Sequence, residues 1–254
     1  MMLKTYAKIN LDLNILDRQD NGYHTIRSTF QSITLYDLLE VEPAAHFSLT
    51  GRVYRNNLIE KAKDALEKAT GKEMCCSIHL TKGIPECAGL GGGSSDAAAA
   101  LWAMNTICSL GMGVKALQDI AFEIGSDVPF FLSNYGSAVV EQTGELLSYR
   151  ELDVSPYFVL AKPPFMKSTK DMFERHDRTG KNFYDIMCQL CPDVQRLKEH
   201  FSKGAHECGM TGSGPTIFAG FPTLEESIAA VKLCTVDGKF FIARPVDISH
   251  EVIG

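Results

Sequence analysis

The sequence predicts an α+β fold of two closely packed lobes, and three observations favour it. Strand-like and helix-like segments follow one another in mixed order, which differs from the strict alternation of a doubly wound parallel sheet. The pattern of apolar residues changes after about residue 149, and no internal repeat or long linker separates the two parts. The 254 residues suffice for two small lobes, which we place at 1–150 and 151–254.

The first element is a strand in which polar and apolar residues alternate strictly from Lys8 to Ile15. This period of two predicts one buried face and one polar face. Lys8 and Asn10 share the polar face at a separation of roughly 7 Å, so both side chains can address one pocket. On its own, a lysine at such a position is more often a solvated charge. A turn at 20–22 and a strand near 28–42 follow.

Helix-capping residues and the spacing of apolar residues predict the remaining helices and strands. Asn57 is a candidate N-cap of a helix that ends at Gly71. A strand near 76–80 precedes a glycine-rich loop, an alanine-rich helix from about Ser95, and a helix over 114–124. In the second part we expect strands near 157–162, 216–220 and 240–244, and helices near 182–191, 194–202 and 222–234.

The glycine-rich loop between Pro85 and Ser95 is the most informative segment. Gly89 and Gly91–Gly93 are four glycines in five positions, and Ser94 and Ser95 add two hydroxyl groups. Glycine lets the backbone approach a ligand closely, and the following helix presents unsatisfied N–H groups, so the segment predicts an anion cradle. The alternative is a flexible loop before a helix capped by Ser95 or Asp96. The segment matches neither G-x-x-x-x-G-K-[ST] nor G-x-G-x-x-G.

Residues 85–100 resemble the phosphate loop of the GHMP kinases. Two further segments support the resemblance in the right order, Ala-Lys-Ile-Asn-Leu at 7–11 and Gly-Met-Thr-Gly-Ser-Gly-Pro at 209–215. The resemblance implies a nucleotide-binding N-terminal lobe like domain 2 of ribosomal protein S5 and a ferredoxin-like C-terminal lobe. It also implies ATP and Mg²⁺ as cofactors, with no metal ligand indicated beyond Ser94 or Ser95.

Three more segments narrow the resemblance: Asn-Gly-Tyr-His at 21–24, residues 29–37, and Gly-Ser-Asp-Val-Pro-Phe-Phe at 125–131. They are similar to GHMP kinases that phosphorylate a hydroxyl of an isoprenoid precursor bearing cytidine diphosphate. The alternatives are a GHMP kinase of the homoserine or mevalonate type, and a catalytically silent ligand sensor on the same fold. Tyr23 and His24 favour a substrate with a base, and intact Lys8, Asp127 and glycine loop disfavour a sensor.

The resemblance implies a role for each matching position. Lys8 and Asp127 match the catalytic pair, in which a carboxylate accepts the proton of the attacking alcohol and a lysine stabilises the developing charge. The other matching residues contact the substrate (Asn10, Tyr23, His24, Thr169, Phe173), the phosphates of ATP (Pro85, Gly89, Leu90, Gly91, Gly92, Gly93, Ser94, Ser95) and its adenosine end (Asn57, Lys82). Taken alone, Asp127 before Val128-Pro129 is more often a helix N-cap, and the alternative for Phe173 is an ordinary core residue.

The charge, hydropathy and cysteine pattern disfavour nucleic-acid-binding, membrane-spanning and disulfide-rich proteins. A net charge of −6 disfavours nucleic-acid binding, which needs dense Lys and Arg. No apolar run is long enough to span a membrane. The eight cysteines are scattered rather than arranged as a disulfide framework, so we expect reduced thiols and a cytoplasmic enzyme. The sequence does not predict the oligomeric state.

Overall fold

The computed structural model describes residues 1–19, 22, 24–52, 57–144 and 146–254. The first part of the chain forms β1 (Met2–Arg18), β2 (His24–Pro43), β3 (Ser48–Gly51), α1 (Leu58–Thr70), β4 (Cys76–Thr81), α2 (Gly92–Ile107), α3 (Val114–Ile124), α4 (Val128–Leu132), β5 (Ser137–Gln142) and β6 (Leu146–Tyr149). The second part forms β7 (Tyr157–Lys162), α5 (Thr169–Thr179), α6 (Phe183–Leu190), α7 (Pro192–Phe201), β8 (Glu207–Met210), β9 (Ile217–Phe221), α8 (Leu224–Lys232), β10 (Lys239–Ala243) and β11 (His250–Val252).

The larger sheet is built on the long β1–β2 hairpin. Its strands lie in the order β11-β1-β2-β4-β3. In addition, β5 pairs with the N-terminal half of β2, and β6 pairs with β5. All of these pairs are antiparallel except β3 with β4. Because β11 pairs with β1, the last residues of the chain return to the first sheet, and the predicted boundary at residue 150 does not account for them.

The smaller sheet confirms the ferredoxin-like order expected of the second lobe. Its four antiparallel strands lie in the order β10-β7-β9-β8. Numbered within the lobe, this is the order 4-1-3-2, with helices between the first two strands and the last two, as in a split βαβ fold. The α+β class with two lobes is therefore confirmed.

Among the described residues, three apolar clusters form the core. One packs α1–α4 against the larger sheet, and a second packs the helices of the second lobe against the smaller sheet. The third joins the lobes, since Ala7 and Ile9 of β1 meet Phe158 and Leu160 of β7. Lys8 and Asn10, on the opposite face of β1, are also buried, so Lys8 is not the solvated charge that its strand face alone suggests.

The elements that the sequence reading missed have weak local signals. β3, β6 and β11 have four residues or fewer, too few to show a period. Helix α5 is strongly polar overall and fully buries only Met172, so its apolar face is short and gives a weak signal. The predicted cap at Asn57 is confirmed, since its side chain accepts a hydrogen bond from the Ile59 N–H. Within the described part of the chain, no helix is long and apolar enough to cross a membrane.

Candidate active site

A cavity of about 630 Å³ brings together most of the residues singled out in the sequence. It is lined by residues from β1, the glycine loop, the segment before α4, α5 and the turn after β8. The predicted residues on its wall are Lys8, Asn10, Asn57, Lys82, Pro85, Gly89, Leu90, Gly91, Gly92, Gly93, Ser94, Asp127, Thr169 and Phe173. Segments far apart in the chain thus converge on one cleft.

Lys8 and Asp127 form an ion pair in this cavity, with 3.5 Å between Nζ and Oδ2. The Lys8 side chain is 4% exposed and that of Asp127 is 27% exposed, so a ligand can reach the carboxylate more easily than the ammonium. Burial lowers the pKa of Lys8, and the attraction of Asp127 opposes this shift. Asp127 occupies the N-cap position of α4, as its sequence context suggests, but its side chain makes no capping hydrogen bond to the helix.

Asn10 fixes the position of the Lys8 ammonium group. Its Nδ2 donates to Ser28 Oγ at 2.8 Å, which turns Oδ1 toward Lys8 to accept a hydrogen bond from Nζ. The Asn10 N–H donates to the Thr211 hydroxyl at 2.9 Å, and that hydroxyl lies 3.1 Å from the Gly89 carbonyl oxygen. Thr211 therefore links the strand that carries Lys8 to the phosphate loop.

The phosphate loop runs directly into α2, which begins at Gly92 rather than at about Ser95. Gly89 and Gly91 have φ values of +73° and +72°, a conformation that L side chains rarely adopt. A Cβ at Gly89 would overlap the carbonyl oxygen of Thr211. The N–H groups of the first turn, from Gly92 to Ser94, have no intrahelical acceptor and lie at the cavity wall, as an anion cradle requires.

The two serines of the loop have different environments. Ser94 lines the cavity, whereas Ser95 is almost fully buried and its hydroxyl donates to the Tyr6 carbonyl oxygen at 2.7 Å. Neither Ser95 nor Asp96 caps α2, because the residue before the helix is Gly91. Ser95 therefore lies outside the set that lines the cavity. Over the residues that the structure describes, no group of three His, Cys, Asp or Glu side chains is suited to hold a metal ion.

Lys82 lies between two buried carboxylates. Its Nζ donates to Asp96 Oδ2 at 2.8 Å and also to Asp37 Oδ2. Asp37 Oδ1 accepts from the Gly83 and Ile84 N–H groups, at 2.7 and 2.8 Å. Burial raises the pKa of Asp96 to about 7, and Lys82 opposes that shift. The sequence predicted an ATP contact for Lys82, but its hydrogen bonds tie the loop and α2 to β2.

The far end of the cavity contains the residues predicted to hold a base. Phe173 lines the cavity, and the His24 ring stacks on it at 4.9 Å between centroids. His24 is nearly buried and does not itself line the cavity. Thr169 lies 2.9 Å from Ser213, hydroxyl to hydroxyl. Tyr23 lies outside the described residues.

Sequence reasoning missed the residues that hold this site in place. Ser28, Thr211 and Asp177 act through contacts between segments far apart in the chain, and of the three only Thr211 lies in a segment quoted for the resemblance, at 209–215. Asp37 and Asp96 lie inside segments that resemble the family, and this was their only signal. Their pairing through Lys82 depends on the fold.

Comparison with known proteins gives a consistent result. The sequence pattern of the family described as GHMP kinases N terminal domain matches residues 57–135. The chain is 34% identical to a 4-diphosphocytidyl-2-C-methyl-D-erythritol kinase of Carboxydothermus hydrogenoformans, with 96% of each chain covered. It is 33% identical to the enzyme of that name from Thermoanaerobacter pseudethanolicus, with 98% of each covered.

Solved structures agree with the sequence comparison. A crystal structure of 4-(cytidine 5'-diphospho)-2C-methyl-D-erythritol kinase superposes with a TM-score of 0.82 at 26% identity, covering 96% of this chain and 99% of the other. The Methanococcus jannaschii mevalonate kinase superposes with a TM-score of 0.72 at 13% identity, covering 97% and 98%. The second likeness concerns the fold alone.

Proposed function

Because the chain belongs to the 4-diphosphocytidyl-2-C-methyl-D-erythritol kinase family of GHMP kinases, we propose that it transfers the γ-phosphoryl group of ATP to the 2-hydroxyl group of 4-diphosphocytidyl-2-C-methyl-D-erythritol. The product belongs to the non-mevalonate route to isoprenoid precursors. A cytoplasmic location stays a prediction.

The Lys8–Asp127 pair beside the glycine loop is the observation that carries the proposal. An alcohol is a poor nucleophile near neutral pH, and a carboxylate within reach can accept its proton as it attacks phosphorus. Asp127 is exposed enough to meet that hydroxyl. Lys8 is held by Asn10 and Asp127, where its positive charge stabilises the attacking oxygen. The transfer is direct and in line, without a phosphoenzyme.

The glycine loop suits the phosphates of ATP. The free N–H groups of Gly92, Gly93 and Ser94 lie where the positive end of the α2 dipole favours an anion. Mg²⁺ in sites of this kind is usually held by the substrate phosphates together with one or two protein oxygens. Mg²⁺ bound to the ATP phosphates would neutralise their charge, and Ser94 is the loop hydroxyl placed to contact it.

The opposite end of the cavity suits the cytidine group. The Phe173 ring at the cavity wall offers a face of the kind on which bases stack, worth about 1–3 kcal/mol per base. Thr169 and Ser213 offer hydroxyl donors between this ring and the glycine loop. A substrate with a base at one end and an alcohol at the other would match this arrangement.

An ATP-consumption screen tests the proposal. The purified protein is given ATP and Mg²⁺ with the cytidine substrate, homoserine and mevalonate in parallel reactions. We expect turnover with the cytidine substrate alone. Turnover with homoserine or mevalonate and not with the cytidine substrate would assign the chain to another GHMP activity. Binding of ATP without turnover of any of the three would favour a ligand sensor.

Asp127→Asn tests the assigned base. We expect kcat to fall by about 10²- to 10⁴-fold, the usual contribution of a general base, while ATP binding is retained. Asp119→Asn is the matched control, because Asp119 is an exposed carboxylate of α3 that does not line the cavity. Wild-type turnover by Asp127→Asn would remove this carboxylate from the mechanism.

A further inference from the structure

Asp177 joins α5 to both strands of the β1–β2 hairpin. Its Oδ1 lies 2.6 Å from His24 Nε2 at the start of β2, and its Oδ2 lies 3.6 Å from Arg18 Nη1 at the end of β1. The hairpin belongs to the first lobe and α5 to the second. One carboxylate therefore connects the two lobes at the end of the cleft where Phe173 lies.

The helix presents a single face to the hairpin and the cavity. Thr169, Phe173, His176 and Asp177 follow the spacing i, i+4, i+7 and i+8, which places them along one side of α5. Thr169 and Phe173 line the cavity, and Asp177 lies about one helical turn beyond Phe173, where it contacts the hairpin. The same face of the helix thus presents Phe173 to the cavity and Asp177 to the hairpin.

His24 connects Asp177 to Phe173. Its ring lies nearly parallel to the Phe173 ring, at 17° and 4.9 Å, and the edge of His176 meets it at 5.5 Å. Phe183 contacts Phe173 edge-on at 4.9 Å. The His24 side chain is 5% exposed. Packed in this way, His24 supports the Phe173 ring from behind and is not at the cavity surface.

We propose that Asp177 is a positioning residue that sets the affinity for the base of the substrate by holding His24 against Phe173. The proposal rests on the proposed function, because the cytidine group is the ligand that Phe173 would meet. An ionised carboxylate only accepts hydrogen bonds, so it keeps a proton on His24 Nε2 and fixes the orientation of the ring. The Phe173 ring is then already in place when a base arrives, and less side-chain freedom is lost on binding.

Substitution at Asp177 should separate substrate affinity from chemistry. In Asp177→Ala we expect the KM for the cytidine substrate to rise about tenfold, which corresponds to one charge-assisted hydrogen bond. The KM for ATP and kcat should stay unchanged, because neither the glycine loop nor the Lys8–Asp127 pair contacts Asp177. Asp177→Asn should recover part of the affinity, since an amide oxygen can still accept from Nε2–H.

Glu174→Ala is the matched control on the same helix, because Glu174 is exposed and pairs only weakly with Lys170, at 3.9 Å. It should leave all three constants unchanged. An unchanged KM for the cytidine substrate in Asp177→Ala, or an equal rise in the KM for ATP, would overturn the proposal.

Two measurements without turnover keep this test separate from that of the proposed function. Calorimetric titration with CDP should show about tenfold weaker binding by Asp177→Ala than by the wild type. The ¹⁵N shifts of the His24 ring should report a proton fixed on Nε2 in the wild type and a mixture of tautomers in Asp177→Ala. If no substrate is phosphorylated but both changes are seen, the proposed function fails and the positioning role stands. Equal CDP affinity and equal ring shifts in the two proteins would refute the positioning role.

Discussion

Replacing Lys82 with methionine should destabilise the protein by about 3–5 kcal/mol, the range for removing one partner of a buried ion pair. Methionine keeps most of the side-chain length but loses the ammonium group that lies between Asp37 and Asp96. Asp37 is fully buried and Asp96 nearly so, so neither carboxylate gains water in exchange. For a chain of this size, we expect the melting temperature to fall by roughly 6–20 °C.

The stability that Lys82→Met loses should depend on pH. Burial already raises the pKa of Asp96 to about 7 in the presence of Lys82. A carboxyl whose folded pKa exceeds its unfolded value binds its proton more tightly in the folded state, so the folded state loses stability as pH rises toward the folded pKa. Without Lys82 this shift grows. The free energy of unfolding that Lys82→Met loses relative to the wild type should therefore be largest at about pH 8, above the raised pKa of Asp96. It should be smaller at about pH 5, below that pKa, where the carboxyl group is neutral.

Urea denaturation followed by circular dichroism at both pH values measures this deficit. Lys61→Met, on the exposed side of α1, is the control and should match the wild type. The double variant Lys82→Met/Asp96→Asn should recover part of the stability, because it leaves one buried charge instead of two. A Lys82→Met variant as stable as the wild type at pH 8, with a raised KM for ATP, would show that Lys82 acts on the nucleotide and would refute this reasoning.

Two further predictions concern the glycine loop and the C-terminal strand. Gly89→Ala should weaken ATP binding and destabilise the protein more than Gly71→Ala, because both glycines have positive φ but only at Gly89 would a Cβ overlap backbone, while Gly71 faces open space. Equal melting temperatures and ATP affinities for the two variants would contradict this. Burial lowers the pKa of His250, whose Nδ1 has no hydrogen-bond partner among the described residues. The folded state therefore resists protonation, and the wild type should lose stability as pH falls below about 6.5. His250→Gln should flatten this part of the profile in urea titrations, and parallel profiles would refute it.

Local sequence was enough to predict the parts of the site that depend on backbone conformation. The run from Gly89 to Ser94 predicts an anion cradle because glycine and a helix N-terminus have the same chemistry in any fold. The alternation from Lys8 to Ile15 likewise predicts a strand on which Lys8 and Asn10 share a face. The α+β class also followed from the order of the elements.

Local sequence does not show which partners a side chain meets in the folded chain. The resemblance predicts a phosphate contact for Ser95, and the fold directs its hydroxyl to the Tyr6 carbonyl oxygen. It also predicts an ATP contact for Lys82, which lines the cavity and in addition bonds to Asp37 and Asp96. A side chain bonds to whatever the fold brings near it, and neither partner is visible in the neighbouring sequence.

By itself, the sequence determined where the backbone can bend around an anion and which residues alternate on a strand, because these properties depend on a few adjacent residues. Only the tertiary structure decided that Lys8 meets Asp127, that Thr211 meets Asn10, and that Asp177 meets His24. Each of these pairs is separated by more than a hundred positions in the chain. Their contact depends on how the two lobes pack about β1, and this packing cannot be read from a few adjacent residues.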